Sequence, residues 1–177
     1  MMRMLKKLFP YEYADSVFAV DYKKLRKKGF KAVIFDIDNT LVHHGDNSTP
    51  EIDQLFRDIH TAGLKTLLLT NNDDERVQRF IRNIDTLYIC DAEKPDPAGY
   101  LKALRMLGVK KNEAVCIGDQ IFTDVLGANR CGIPNILVKF ITLPNEKKIG
   151  KRRHLENLIL RFYKLSRASH RLGNILK

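Results

Sequence analysis

Long apolar runs are missing from this chain of 177 residues. None approaches the roughly 20 residues that a membrane-spanning helix requires. The opening stretch, Met1 to Pro10, has basic residues but too short an apolar segment for an export signal. Cysteine is scarce as well: Cys90, Cys116 and Cys131 are odd in number and lack a CxxC spacing. That argues against a disulfide framework and for reduced thiols in a cytoplasmic protein. The sequon Asn47-Ser48-Thr49 is then incidental. Neither a repeat nor a low-complexity segment interrupts the chain, and no RRM or KH signature is present. Hydrophobic content of 44% excludes a disordered chain, and the length suits one domain with a proper core.

Acidic residues are scarce only at the two ends. Residues 1–31 carry a net charge of +6, residues 32–138 a net of −5, and residues 139–177 a net of +9. A mildly acidic centre between two basic ends points to a polyanionic partner, either a membrane surface or a nucleic acid. Solvated helix faces would give the same composition. The charge divides the chain into a basic N-terminal extension (1–31), a core (32–140) and a basic C-terminal helical extension packing on that core (141–177).

What is present is organised around Ala32 to Leu41. A run of β-branched and aromatic residues leads into Asp36 and Asp38, spaced i, i+2. Such a run reads as a strand buried on both faces, as a parallel sheet requires of its centre. Ligands of open α/β sheets bind at the carboxyl ends of strands. Two acids buried there need a cation or a shared proton.

Further along, Thr49-Pro50 predicts an N-cap and first turn for a helix burying Ile52, Leu55, Phe56 and Ile59. Strands are expected at Lys65 to Thr70, Thr86 to Cys90, Ala114 to Ile117 and Ile133 to Val138. Helices are expected after Asp73, from Pro97 bearing Leu101, Leu104 and Leu107, and from Asp124 to Arg130. Short basic helices are expected at Met1 to Leu8 and Asp21 to Lys28. The alternation predicts an α/β fold on a five-stranded parallel sheet with right-handed crossovers. At the carboxyl ends of its strands stand Asp36 and Asp38, then Thr70-Asn71, then Lys94, then Asp119 and Asp124. Carboxylates from two strands can hold one Mg²⁺. A metal, a lysine and a hydroxyl around a carboxylate make a place for a phosphoryl group. His43 and His44 lie on a polar loop with no third ligand and read as mouth-lining or solvated. A calcium loop opened by Asp36 is excluded, since Leu41 and Asn47 stand where its Gly and Glu belong.

The order Asp36-x-Asp38-x-Thr40, Thr70-Asn71, Lys94-Pro95 and Gly118-Asp119-Gln120-x-x-Thr123-Asp124 resembles the four motifs of haloacid dehalogenase (HAD) phosphatases. The resemblance covers about residues 30–140 and implies a Rossmann-like three-layer sandwich. It also implies that Asp36 is the nucleophile, forming an aspartyl-phosphate, and Asp38 the general acid/base. Mg²⁺ would be held by Asp36, Asp119 and the Asp38 backbone carbonyl, with Asp124 a ligand or close partner. Thr70, Asn71 and Lys94 would bind the phosphoryl oxygens. The residues alone leave open which of Asp36 and Asp38 attacks.

Only 33 residues separate Asp36 from Thr70 and 23 separate Thr70 from Lys94, so neither interval has room for a cap domain. An open site suits phosphate on a large carrier: a lipid, a protein or a nucleic-acid end. Pro10, Val17 to Asp21, Leu25-x-x-x-Gly29-Phe30, Asn129-Arg130 and Lys151-Arg152-Arg153-x-x-Glu156 resemble the YqeG branch of subfamily IIIA. That branch is similar to phosphatidylglycerophosphate phosphatases, which implies a role in phospholipid synthesis and peripheral contact with the inner membrane surface. From about Arg153 to Arg167, Leu155, Leu158, Ile159, Phe162 and Leu165 gather on one helical face, with Arg161, Lys164 and Arg167 on the other side. This helix either lies in a membrane interface or packs its apolar face on the domain. The alternatives are a capless phosphatase of nucleic-acid ends or phosphoproteins, or a basic RNA-binding protein with vestigial activity. A non-catalytic scaffold would be expected to lack Asp36 or Asp38.

Overall fold

The computed structural model describes residues 6–142, 151–166 and 169–177. The expected helix from Met1 to Leu8 lies largely outside them; of it, Lys6–Leu8 form a 3₁₀ turn. Six strands form one sheet: β1 (Glu12–Ala14), β2 (Ala32–Phe35), β3 (Lys65–Leu69), β4 (Leu87–Ile89), β5 (Ala114–Gly118) and β6 (Asn135–Val138). Their order is β1-β6-β5-β2-β3-β4 and every pair is parallel.

The sheet therefore has six strands where the sequence predicts five. The extra strand, β1, is three residues long and has an acid inside it. Glu12 is 1% exposed, and its carboxylate meets His170 Nδ1 at 2.8 Å. Neither apolar alternation nor length marks such a strand; backbone pairing with β6 makes it.

Successive residues of a strand face opposite sides, and the core divides accordingly. Val33 and Phe35 pack with α1 (Tyr22–Lys27), α2 (Pro50–Thr61) and α3 (Asp74–Phe80). Ala32 and Ile34 pack with α4 (Pro97–Leu107) and α5 (Leu126–Cys131). The result is a helix–sheet–helix sandwich. The caps act as the sequence predicts: Thr49 Oγ1 accepts from Ile52 N, and Asp96 Oδ1 from Ala98 N. Of the three leucines on α4, Leu101 is 44% exposed, and Tyr100, Ala103, Leu104 and Leu107 make the buried stripe.

The last helix, α6 (Lys151–Lys164), packs through Ile159 and Tyr163 on Phe9, Ile121, Val125 and Leu137. The chain ends are joined on the same flank. Arg171 Nη2 donates to the carbonyls of Phe9 and Pro10, both at 3.1 Å. Asp21 N donates to Ile175 O and Lys177 N to Ala19 O. Among the described residues, no helix is long and apolar enough to cross a membrane.

Candidate active site

The switch in strand order falls between β2 and β5, with β3 on the far side of β2. A crevice opens at the carboxyl ends of strands at such a point. Asp36 follows β2, Thr70 follows β3, Lys94 follows β4 and Asp119 follows β5. Parallel pairing puts all four at one edge.

Gly118, the last residue of β5, sets the closest approach. A Cβ there would overlap the Asp124 carboxylate, so only glycine lets that side chain lie across the strand end. Asp124 itself is held by a π-helical turn, Ile121–Val125, where the sequence predicts the start of an ordinary helix. Gln120 N donates to Asp124 Oδ2 at 3.0 Å, and Tyr100 Oη donates to Thr123 O at 3.1 Å. One-turn π insertions of this kind are common at functional sites.

Asp36, Asp119 and Asp124 each bring a carboxylate oxygen within 4.8 Å of the others. Lys94 Nζ donates to Asp36 Oδ1 at 2.6 Å and to Asp124 Oδ1 at 2.7 Å. Thr40 Oγ1 lies 3.3 Å from Asp36 Oδ2 and 3.1 Å from Asp119 Oδ1. Asp119 is 3% exposed, Asp124 6% and Lys94 9%. Burial pushes the Asp36 carboxyl up to about 6; the Lys94 ammonium works against that shift and the Asp124 carboxylate with it. Asp119 goes to about 8, through burial first and then the charges of Asp124 and Asp36, despite Arg153. The ammonium of Lys94 is raised by its two carboxylate neighbours, which outweigh its burial. Three crowded acids, with Asp36 and Asp119 resisting ionisation and hard oxygen donors turned on one point, fit a divalent cation.

Asp38 stands apart from that cluster. Its carboxylate accepts from Arg76 Nη2 at 2.7 Å, Asn72 Nδ2 at 2.6 Å and Gly45 N at 3.0 Å. Burial opposes its ionisation, but these donors outweigh burial and hold it below the usual carboxylate range. His44 Nδ1 is 3.3 Å from the same carboxylate on the exposed side, and His43 Nδ1 is 3.9 Å from Asp46. Neither histidine joins a metal-ligating group among the described residues. Thr70 is 1% exposed, and its hydroxyl accepts from Asn72 N and Nδ2 at 3.2 and 2.9 Å. Asn71 clasps the backbone of Lys94: Lys94 N donates to Asn71 Oδ1 at 2.7 Å, and Asn71 Nδ2 donates to Lys94 O at 3.3 Å.

Residues the sequence reading did not assign complete the site. Arg153 of α6 pairs with the Asp119 carboxylate and, through Nη1, reaches Glu156 at 2.9 Å. Glu156 Oε1 accepts from Ile121 N at 2.9 Å, which ties α6 to the π-helical turn. The run Arg153-x-x-Glu156 carries an i, i+3 pair, but nothing in it points 34 residues back to Asp119. Arg76 is 8% exposed with Nε and Nη1 unpartnered, and its place on α3 beside Asp38 has no sequence signal. Next to Asp119 lies a cavity of about 240 Å³ lined by Tyr13, Ile121, Leu137, Phe140, Arg153 and Leu160 among others.

Residues 44–132 match the family described as haloacid dehalogenase-like hydrolase. The chain is 39% identical over 137 residues to the "Probable phosphatase YqeG" of Bacillus subtilis, covering 76% of this chain and 80% of that protein. It is 27% identical over 169 residues to the chloroplastic/mitochondrial phosphatidylglycerophosphate phosphatase 1 of Arabidopsis thaliana, covering 87% of this chain but 47% of that one. Among solved structures, the deoxy-D-mannose-octulosonate 8-phosphate phosphatase of Haemophilus influenzae superposes with a TM-score of 0.52 at 18% identity. It covers 80% of this chain and 92% of its own, a likeness of fold.

Proposed function

The chain belongs to the haloacid dehalogenase-like hydrolases and is a phosphatase, and on that premise we propose that it cleaves phosphomonoesters through an aspartyl-phosphate on Asp36 with Mg²⁺. The observation that carries this reading is the buried cluster of Asp36, Asp119 and Asp124 bridged by Lys94 at 2.6 and 2.7 Å. The three carboxylates and the Asp38 backbone carbonyl would hold the cation. Bound there, it would draw charge from the phosphoryl oxygens and leave the phosphorus open to attack.

The chain's own groups divide the remaining work. Asp36 Oδ forms the bond to phosphorus as the ester oxygen leaves. Lys94, placed between two carboxylates, offsets their repulsion of an incoming phosphate. The Thr70 hydroxyl, which accepts from Asn72, would turn its own proton to a phosphoryl oxygen, with Asn71 positioning the Lys94 backbone. Asp38, held ionised by its donors, is set to take the proton of the hydrolytic water. To protonate the leaving oxygen it must first carry a proton, which requires those donors to loosen.

The substrate reading is a phosphate on a large or membrane-borne carrier, such as phosphatidylglycerophosphate. Three features support it: no domain stands over the site between Asp36 and Lys94, the cavity beside Asp119 has Leu137, Phe140 and Leu160 in a lining that also carries Arg153, Lys139 and Glu156, and the ends are basic. Peripheral contact with an anionic membrane through those ends belongs to the same reading. The test is phosphate release with Mg²⁺ from phosphatidylglycerophosphate in mixed micelles, beside an aryl phosphate, a phosphopeptide and a 5′-phosphorylated oligonucleotide. Strong preference for the lipid is expected. Equal or better turnover of the peptide or oligonucleotide would overturn the lipid reading and leave the chemistry standing.

A further inference from the structure

One side of α6 is left uncovered. Glu156, Ile159 and Tyr163 turn inward and are 4%, 5% and 1% exposed. Leu155, Leu158, Phe162 and Leu165 are 49%, 47%, 56% and 87% exposed. The sequence groups Ile159 with these four; the structure separates it from them. Spaced i, i+3, i+7 and i+10, the four form one stripe of a helix turning 100° per residue, with Leu165 just past the last residue of α6 and still bonded to Arg161 O. Single exposed apolar side chains need no explanation, whereas four in line at the surface do.

The charges beside the stripe say what could cover it. On a helical projection Arg161 and His154, both exposed, border it on one side, and buried Ile159 borders it on the other. Beyond residue 150 the only acidic side chain is Glu156, which is buried and bound to Arg153 and Ile121 N. The exposed positions of α6 itself therefore offer cations and no carboxylate side chain.

We infer that this stripe is the docking surface for an anionic phospholipid bilayer. Leu155, Leu158, Phe162 and Leu165 enter the acyl boundary, and Arg161 stays among the phosphates. Burying an apolar stripe edged by cations is how an interfacial helix binds such a surface. A second copy of the chain fits less well. A seam of about 11 residues is short for a coiled coil in water, and two copies would bring basic flanks together without acids to pair them. A bilayer supplies both missing partners. The inference deepens the reading of a membrane-borne substrate, and its biological sense rests on that reading. The same helix carries Arg153 to Asp119, so bilayer and acid cluster would be joined by one rigid element of 14 residues, about 21 Å long.

The test is co-sedimentation with vesicles of phosphatidylglycerol and, separately, of phosphatidylcholine. The protein should pellet with the first and not the second, and high salt should weaken the binding. The pair Leu158→Glu and Phe162→Glu should weaken it at least about tenfold while turnover of a soluble aryl phosphate is retained. Because the chain has no tryptophan, Phe162→Trp gives a second readout that does not depend on the folding of the Glu variant. Its emission should shift to the blue with anionic vesicles. Failure to bind phosphatidylglycerol, unchanged binding by the Glu variant, or an unshifted indole emission from the Phe162→Trp protein would each overturn the inference. So would a dimer in solution that the Glu pair splits into monomers. Binding without aryl phosphate turnover would instead overturn the hydrolase reading and leave this one standing.

Discussion

Arg153 on the last helix closes on Asp119 at the end of β5, donating from Nη1 to its carbonyl oxygen at 2.8 Å and pairing with its carboxylate. With Glu156 bound to the next turn, the C-terminal helix becomes a wall of the acidic site. Breaking a largely buried pair leaves its partner uncompensated. At about pH 9, where Asp119 is ionised, Arg153→Ala should cost the metal-free protein about 3 kcal/mol in urea unfolding, and Mg²⁺ should restore much of it by replacing the lost charge. An unchanged unfolding midpoint without metal would show that the pair does not hold the helix.

Asp36→Asn removes the attacking oxygen and one negative charge from a crowded site. Activity should fall on the order of 10³-fold or more, with no loss of thermal stability. Substantial remaining turnover of an aryl phosphate would mean that another group attacks.

The crowding of acids predicts a pH dependence of opposite sign to that of an ordinary ion pair. Asp36 and Asp119 have folded-state values of about 6 and about 8, above their unfolded values. The folded state then binds more protons than the unfolded one. Stability from these groups is complete below about pH 4 and is lost as pH rises through about 6 and about 8. Asp38, held low, works the other way: its contribution is present above about pH 4 and lost on further acidification. Melting of metal-free protein should show stability falling from pH 5 to pH 9, and saturating Mg²⁺ should flatten that fall. A flat metal-free profile would contradict the proposed burial of the cluster.

Gly118→Ala would force a methyl group into the Asp124 carboxylate. Overpacking of this kind costs about 1–3 kcal/mol, and the displaced carboxylate should also weaken Mg²⁺ dependence of turnover. Wild-type melting together with wild-type turnover would show that the strand end yields more easily than its packing implies.

The parts readable in the sequence are those where local pattern and tertiary role coincide. The central strands are unbroken apolar runs because both faces are buried, and the Asp, Thr and Lys residues follow them because strand ends form the crevice. Where one residue serves a distant partner, the pattern is silent. Glu12 sits inside a strand because His170 meets it from the far end of the chain. Leu101 looks like core by spacing, but Tyr100 fills that place, its hydroxyl bound to the backbone of Thr123. Arg76 and Arg153 look like any surface arginines until folding sets them on Asp38 and Asp119.

The joined ends have a consequence for how the protein responds to electrolyte. Residues 1–31 and 139–177 have like charge at +6 and +9, and their described parts are joined on one flank by Arg171, Ile175 and Lys177. Their repulsion opposes folding and is screened over about 8 Å at physiological ionic strength. The melting temperature should therefore rise as sodium chloride is added from low concentration. An anionic surface against that flank would act as a concentrated counter-ion, tightening the same clasp that salt tightens in solution.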